Sequence, residues 1–186
     1  WHGKVGVGFP AGIMHGKVLT AANIDKSWIG VEVDKFLSQK TGCSVFTIND
    51  ADAAGNAAMT HGAGKGEKGL VLFLTIGTGI GSVLYMNGQM VPNSELGHVH
   101  FNGTTIEKYA ADSVRKKLDL SWKKYGGRLN EVLNYLQKTY YPDLIILGGG
   151  ISKKYDKIEE FIQVDTKVVP AVLLNDAGII GSAMYA

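Results

Sequence analysis

The chain has 186 residues, of which 45% are hydrophobic and 19% charged, and its formal net charge of +2 suits one or two ordinary folded domains. Its 25 glycines lie in short clusters without a fixed period, which excludes collagen-like and coiled-coil proteins. The single cysteine, Cys43, excludes a disulfide scaffold, and no apolar stretch reaches the roughly 20 residues that cross a bilayer.

The first third of the chain alternates strand patterns with helical ones. The β-branched and aromatic runs predict strands at 4–9 and 43–48, and His15-Gly16 predicts the turn of a hairpin over 13–19. Apolar residues at helical spacing predict a helix over 31–40 that stops at Gly42, and Asn49-Asp50 opens an alanine-rich helix to residue 60.

The rest of the chain continues this alternation. The continuous apolar run at 70–76 predicts a strand buried on both faces, and a second strand at 80–86 ends at the hairpin signal Asn87-Gly88. Further patterns predict helices over 104–118, 128–141 and after Asn175-Asp176, a strand at 143–147, and a helix capped by Ser152. Strands alternating with helices, with hairpins among them, predict an α/β fold with a mixed sheet.

The glycine-rich segment 77–81 lies between two predicted strands. Glycines allow backbone N–H groups to approach an anion without a Cβ in the way, and Thr78 adds a hydroxyl donor, so Gly77, Thr78, Gly79 and Gly81 are candidate phosphate ligands. No GK[ST] follows, which excludes a Walker loop, and the spacing does not match the dinucleotide fingerprint. The alternative is an ordinary glycine hairpin.

Asn49 and Asp50 follow a predicted strand and begin a helix. An Asx turn that caps the helix explains one of the two residues. A carboxylate at the carboxyl end of a strand is also well placed to accept a proton from a substrate hydroxyl, and this makes Asp50 a candidate base. Asp52 is expected to face solvent or to add negative charge at the helix N-terminus.

Two other segments carry polar or permissive residues. Glu95 and His98, three residues apart, can bind adjacent hydroxyls of one polyol. His98 and His100 would point to opposite faces of a strand, so we expect no metal there. The glycines at 148–150 follow a buried strand and would let a nucleotide base or ribose lie on the backbone, unless they only form a tight turn.

Positive charge is concentrated between residues 108 and 128. Seven lysines and arginines are opposed there by Asp112 and Asp119 alone, a local excess of five charges. Such a run is either a solvated helix face or an attraction for an anionic partner.

Taken together, five segments resemble one family. GFPAGIMHGKVLTAANIDKSW (8–28), INDADAAG (48–55), LTIGTGIGS (74–82), VPNSELGH (91–98) and LGGGISKK (147–154) occur in family order, and the chain resembles the ROK family of repressors and sugar kinases, in particular its polyphosphate glucokinases. The resemblance implies an actin-like (ribonuclease-H-like) two-lobed fold, a cytoplasmic homodimer without membrane or nucleic-acid partners, and phosphorylation of the 6-hydroxyl of glucose.

The resemblance also implies a role for each candidate residue. Asp50 is the expected base, and the expected donor is ATP, inorganic polyphosphate or both, with Mg²⁺. The expected glucose ligands are Asn23, Asn49, Glu95, His98 and Glu107. The expected phosphate loop contains Gly77, Thr78, Gly79 and Gly81, and the expected nucleotide segment is Gly148, Gly149 and Gly150. A track for polyphosphate is expected along Lys123, Lys124, Arg128, Lys153 and Lys154, with the salt dependence of polyanion binding.

Two departures from the family pattern bear on these expectations. The segment 101–106 has no cysteine, so no zinc is expected. The family's first phosphate loop, Asp-x-Gly-Gly, does not occur in this sequence, so we expect an N-terminally incomplete small lobe (1–48), a large lobe (49–173) and a terminal helix (174–186) that returns to the small lobe. By itself, this chain is expected to show weak or no kinase activity. A non-catalytic sugar-binding regulator and a kinase for another hexose such as mannose remain alternatives.

Overall fold

The computed structural model describes residues 2–22 and 24–186. It divides into two compact units, the first formed by Trp1–Ala57 and Asn175–Ala186 and the second by Ala58–Leu174. The sequence analysis put the corresponding boundaries after residues 48 and 173. The division in the structure therefore lies within a helix, seven residues after Asp50.

Two parallel strands form the sheet of the first unit. Strand β1 (Lys4–Phe9) pairs with β4 (Ser44–Asn49), and the register sets Phe9 opposite Asn49. Between them lie the hairpin of β2 (Ile13–Met14) and β3 (Lys17–Val18) and helix α1 (Val33–Thr41). His15 and Gly16 have positive φ values of 51° and 71°, as a tight hairpin turn requires.

Two helices complete the first unit. Helix α2 (Asp50–His61) follows β4 directly, and α6 (Ala177–Tyr185) is the last helix of the chain. A Cβ on Gly6 of β1 would overlap the carbonyl of Ser182, and a Cβ on Gly181 would overlap the carbonyl of Ala53. Glycine at both positions therefore lets α6 pack directly on β1 and α2.

A five-stranded mixed sheet forms the centre of the second unit. Its strands are β5 (Leu70–Ile76), β6 (Ile80–Met86), β7 (Gln89–Val91), β10 (Leu144–Gly148) and β11 (Lys167–Pro170), in the order β11-β10-β5-β6-β7. Strand β10 is parallel to β5 and β11, whereas β6 is antiparallel to β5 and β7. The predicted mixed sheet and the burial of β5 are confirmed.

Helices cover this sheet through a continuous apolar core. They are α3 (Ile106–Ala110), α4 (Asp112–Lys117) and α5 (Trp122–Tyr140), and the side chains of Leu129, Leu133 and Leu136 pack among those of the central strands. A short hairpin of β8 (His100–Phe101) and β9 (Thr104–Thr105) precedes α3. Within the described ranges, every helix is too short or too polar to cross a membrane.

Three helix predictions were wrong in detail. The predicted helix over 104–118 is broken at Ala111, whose backbone is extended, and its cap is Thr105 rather than Thr104. Helix α5 begins at Trp122, six residues earlier than predicted, because Ser121 caps it by accepting a hydrogen bond from the N–H of Lys124. Ser152 caps nothing; its hydroxyl donates to the Gly149 carbonyl inside the 3₁₀ segment Gly149–Lys157.

Candidate active site

The segment 77–81 forms a tight connection between β5 and β6. The N–H of Gly77 donates to the carbonyl of Gly79 at 2.9 Å, which closes the turn, and the side chain of Thr78 is exposed at its tip. No atom lies within 4 Å of the position a Cβ would take on Gly77. The backbone at the tip is therefore open to a ligand, as a phosphate loop requires.

Two side chains from the broken helix hold this loop. The Glu107 carboxylate accepts a hydrogen bond from the N–H of Ile80 at 2.9 Å. Ser113 binds the other side of the turn, with its N–H donating to the Gly77 carbonyl at 3.1 Å and its hydroxyl donating to the Thr78 carbonyl at 2.6 Å. The break at Ala111 separates the two anchors, Glu107 on α3 and Ser113 on α4.

Glycine at the centre of the loop leaves room for the Glu107 side chain. A Cβ on Gly79 would overlap the carboxylate of Glu107. The glycine thus lets Glu107 lie against the loop backbone and reach the N–H of Ile80. Sequence reasoning did not identify Ser113, because a serine in the first turn of a helix carries no signal for a partner 36 residues earlier in the chain.

The predicted polyol ligands Glu95 and His98 lie at the ends of one 3₁₀ turn, with 3.6 Å between His98 Nδ1 and Glu95 Oε2. Both side chains are exposed and available to a ligand. The turn is fixed to β6: the N–H of Leu96 donates to Ser82 Oγ at 2.9 Å, and a Cβ on Gly97 would overlap the carbonyl of Ile80.

The backbone of Ile80 therefore joins the two halves of the site in the second unit. Its N–H is bound by Glu107, and its carbonyl packs against Gly97 in the turn that carries Glu95 and His98. Strand β6 thus positions the phosphate loop and three predicted sugar ligands on one segment of backbone. An exposed pair of polar side chains next to the predicted phosphate loop suits a phosphorylated or phosphate-accepting polyol.

In the first unit, Asn49 is the capping residue of α2. Its Oδ1 accepts from the N–H of Ala51 at 2.8 Å and of Asp52 at 3.2 Å, and its Nδ2 donates to the Ala11 carbonyl at 3.0 Å. Asn49 is therefore the residue of the Asn49-Asp50 pair that caps the helix. Its role as a sugar ligand stays a prediction.

Asp50, the next residue, keeps a carboxyl group that reaches solvent although protein surrounds much of it. Burial raises the pKa of this carboxyl above its usual value, while hydrogen bonds from the N–H groups of Ala51 and of Asp50 itself oppose the rise. Asp50 also borders a cavity of about 640 Å³ in the first unit, lined otherwise by residues 4–8 of β1 and by α6. A carboxylate with a raised pKa is a better proton acceptor at neutral pH, as a general base requires.

Two other expectations about the first unit have different outcomes. For Asp52, exposure to solvent was one of two expectations and was wrong, since the residue is only 2% exposed; its place in the first turn of α2 agrees with the other, negative charge at the helix N-terminus. Its position in the first turn of α2 points it into the protein rather than away from it. Asn23, a predicted glucose ligand, lies outside the described residues.

The glycines at 148–150 are explained in part by packing. Gly148 ends β10, and a Cβ there would lie 2.7 Å from the ring of Phe73. Gly149 has a φ of 72°, and a Cβ on it would lie 2.7 Å from the carbonyl of Ile76. A tight strand-to-helix turn therefore requires at least two of these glycines, and nucleotide binding by Gly148, Gly149 and Gly150 stays a prediction.

The residues of the predicted phosphate track have different surroundings. Lys154 lies over the ring of Trp122, with its Nζ 5.6 Å from the ring centroid. Arg128 lies over Tyr109 instead, at 4.9 Å, and donates to the Tyr109 carbonyl at 3.2 Å. Lys123, Lys124 and Lys153 have exposed side chains. Arg128 therefore joins α5 to α3, and the lysines are the freer charges.

In the described part of the chain, no three histidine, cysteine, aspartate or glutamate side chains lie together so that they could hold a metal ion. The carboxylates described above are spread over separate segments, and Glu107 already accepts a backbone hydrogen bond.

The model of the ROK family matches residues 2–107. The chain belongs to the ROK family. Over 185 residues it is 47% identical to the polyphosphate glucokinase of Mycobacterium tuberculosis (strain CDC 1551 / Oshkosh), an alignment that covers 99% of this chain and 70% of that enzyme.

Solved structures agree with this assignment. The inorganic polyphosphate/ATP-glucomannokinase from Arthrobacter sp. strain KM superposes with a TM-score of 0.94 and 46% identity, covering 97% of this chain and 72% of that one. A ROK family glucokinase from Streptomyces griseus, solved with glucose and AMPPNP, superposes with a TM-score of 0.83 over 97% of this chain and 80% of its own, at 21% identity. The actin-like sugar kinase fold expected from the sequence is confirmed.

Proposed function

We propose that this ROK family protein transfers the terminal phosphoryl group of inorganic polyphosphate or ATP to the 6-hydroxyl of glucose. The observation that carries the proposal is the anchoring of the phosphate loop and of the Glu95–His98 turn on the two sides of Ile80. This arrangement couples an anion site to a polyol site through one rigid strand. The names of the mycobacterial and Arthrobacter relatives support the same donors and sugar.

Asp50 accepts the proton of the 6-hydroxyl. As the sugar oxygen bonds to the terminal phosphorus, the bond from that phosphorus to the bridging oxygen breaks, and the shortened polyphosphate or ADP leaves with the bonding electrons. Burial, which raises the pKa of Asp50, makes its carboxylate more basic and so better matched to this transfer.

The loop binds the phosphoryl group as negative charge shifts among its oxygens. The donors are the hydroxyl of Thr78 and backbone N–H groups at the tip other than those of Gly77 and Ile80, which already donate within the protein. Glu107 and Ser113 hold the loop in place, so little reorganisation is needed during the reaction. Glu95 and His98 bind sugar hydroxyls, and Glu107 would do so through the carboxylate oxygen that does not accept from Ile80. Mg²⁺ would accompany the phosphate donor and neutralise charge on its oxygens, as in other phosphoryl transfers.

Mannose is a second acceptor that one observation favours. The Arthrobacter relative, 46% identical to this chain, is named a glucomannokinase. Mannose differs from glucose only at the 2-hydroxyl, so a site that positions the 6-hydroxyl can accept both sugars.

A homodimer, expected from the family, is tested by light scattering on the purified protein.

The test is the substitution Asp50→Asn in a form extended at the N-terminus. It is assayed for glucose 6-phosphate formation with ATP and with polyphosphate and, separately, for glucose binding by calorimetry. Loss of the base typically costs 10²–10⁴-fold in rate, and we expect a loss in this range with glucose affinity retained. Asp119→Asn is the matched control, because Asp119 is exposed and has a φ of 46°, a conformation that asparagine tolerates.

Two outcomes would contradict the proposal. Equal rates in the Asp50→Asn and Asp119→Asn variants would show that Asp50 is not the base. Glucose binding by the wild-type protein without turnover from either donor, in a form extended at the N-terminus, would favour a non-catalytic sugar-binding regulator.

A further inference from the structure

The break at Ala111 changes the partners of two backbone N–H groups. In an unbroken α-helix, the N–H of Ser113 would donate to the carbonyl of Tyr109, four residues earlier, and the N–H of the next residue to the carbonyl of Ala110. Because Ala111 is extended, the N–H of Ser113 instead donates to the Gly77 carbonyl in the phosphate loop at 3.1 Å. The N–H of the next residue donates to the Ala111 carbonyl at 3.0 Å. The break therefore gives a helical donor to the loop and leaves the carbonyls of Tyr109 and Ala110 without helical partners.

Two side chains of helix α5 replace these partners. The Tyr125 hydroxyl donates to the Ala110 carbonyl at 3.1 Å. Arg128 donates through Nη1 to the Tyr109 carbonyl at 3.2 Å. Tyr125 and Arg128 lie three residues apart and so project from the same side of α5. The two carbonyls that the break releases are thus the same two that α5 binds.

Burial makes the bond from Tyr125 hard to replace by water. Tyr125 and Ala110 are both 0% exposed. A buried carbonyl needs a donor, which is either the Tyr125 hydroxyl or, in a continuous helix, a backbone N–H. Loss of the hydroxyl therefore favours the continuous helix, in which the N–H of Ser113 returns to Tyr109 and leaves Gly77.

Helix α5 also holds the side chain of Tyr109, in the last turn of α3. The Cζ of Arg128 lies 4.9 Å from the ring centroid of Tyr109, and the Tyr109 hydroxyl donates to the Glu131 carboxylate at 2.6 Å. Tyr125, Arg128 and Glu131 follow one another at intervals of three residues along α5. These three side chains fix the end of α3, while Ser113 joins the start of α4 to the loop.

We propose that Tyr125 and Arg128 are positioning residues for phosphoryl transfer. By binding the carbonyls that the break releases, they keep the N–H and the hydroxyl of Ser113 on the phosphate loop and so fix the backbone of the loop. Neither residue needs to touch the phosphate donor for this role. The inference rests on the proposed function, and for Arg128 it is a role separate from the phosphate track expected from the sequence.

The first variant is Tyr125→Phe, which removes one hydroxyl and no charge. In a form extended at the N-terminus, the KM for ATP and for polyphosphate should rise about two- to tenfold, the range that corresponds to one hydrogen bond, with a near-normal KM for glucose. A purely structural role would lower the melting temperature without this difference between the two substrates, since the molecules that stay folded would bind the donor normally.

Amide hydrogen exchange, followed by NMR, gives a second measurement that does not require activity. In Tyr125→Phe the N–H of Ser113 should exchange about two- to tenfold faster than in the wild type, because its bond to Gly77 opens more often. Arg128→Met removes the donor to Tyr109 and should also speed this exchange. It is judged by exchange alone, because the loss of positive charge would weaken donor binding directly, and it keeps the test decisive should Tyr125→Phe fail to fold.

Thr166→Val is the matched control. It also removes one hydroxyl, which donates to the Pro142 carbonyl at 3.0 Å. Pro142 lies just before β10, whereas the phosphate loop follows β5, and these strands are parallel, so the two places are at opposite ends of the sheet. We expect the donor KM and the exchange of the Ser113 N–H to stay at their wild-type values in this variant.

The outcomes separate this inference from the proposed function. Donor KM values and Ser113 exchange equal to those of Thr166→Val, in a protein that phosphorylates glucose, would overturn the positioning role and leave the function intact. Faster exchange at Ser113 in both α5 variants, in a protein that phosphorylates glucose with neither donor, would support the hold of α5 on the loop and overturn the function.

Discussion

Replacing Glu107 by alanine removes an anchor of the phosphate loop as well as a proposed ligand of glucose. Ile80, whose N–H donates to this carboxylate, is 4% exposed, so water cannot easily replace the lost acceptor. An unpaired buried N–H costs about 1–3 kcal/mol. If the free energy of unfolding falls by about 2 kcal/mol, the melting temperature of a chain of this size should fall by about 4–8 °C.

The substitution Glu107→Gln separates the two roles. Its amide oxygen can still accept from the N–H of Ile80, so the loop stays anchored while the negative charge is lost. We expect Glu107→Gln to raise the KM for glucose with a near-normal KM for the phosphate donor. Glu107→Ala should raise both, the donor KM on the order of tenfold, since about 1.4 kcal/mol corresponds to a factor of ten.

The assays are thermal unfolding by calorimetry and coupled formation of glucose 6-phosphate at varied concentrations of each substrate. An alanine variant that melts with the wild type and binds the donor equally well would refute the anchoring role. A glutamine variant as unstable as the alanine variant would show that the charge, and not the hydrogen bond, holds the loop.

Two further predictions concern Asp50 and helix α5. Burial raises the pKa of Asp50, so folding favours its protonated form and the activity should fall as the pH drops through this raised pKa. For the same reason Asp50→Asn should be at least as stable as the wild type at pH 7, and the difference in stability should vanish below the pKa of the unfolded state. A variant less stable than the wild type at pH 7 would contradict this. A Cβ on Gly126 would lie 2.6 Å from the ring of Phe161, so Gly126→Ala should cost about 1–3 kcal/mol in urea unfolding. Gly127→Ala is the matched control, since no atom lies within 4 Å of the position of its new Cβ, and its free energy of unfolding should rise by about 0.5–1 kcal/mol. Equal effects at the two positions would be inconsistent with the packing of Gly126 on Phe161.

Local sequence patterns were enough to predict most of the fold and part of the candidate site. The apolar run of β5, the hairpin turn at His15-Gly16 and the left-handed Gly42 that ends α1 each follow from the residues themselves, since burial on both faces and positive φ leave direct marks on composition. The glycine loop at 77–81 and the Glu95–His98 pair were singled out on residue type and spacing alone. Asp50 was singled out because one of the pair Asn49-Asp50 is enough to cap the helix, and its role as a base stays a prediction.

Only the tertiary structure decided which distant groups meet. Ser113 and Glu107 hold the phosphate loop because the chain is extended at Ala111, and that break depends on backbone partners some 30 residues away that no local pattern encodes. The burial of Asp52 has a similar origin, since neighbouring elements and not its own charge determine its surroundings. The sequence by itself determined how many positive charges the chain carries, whereas the packing of α4, α5 and the Gly149–Lys157 segment determined that Arg115, Lys154 and Lys157 converge on Trp122.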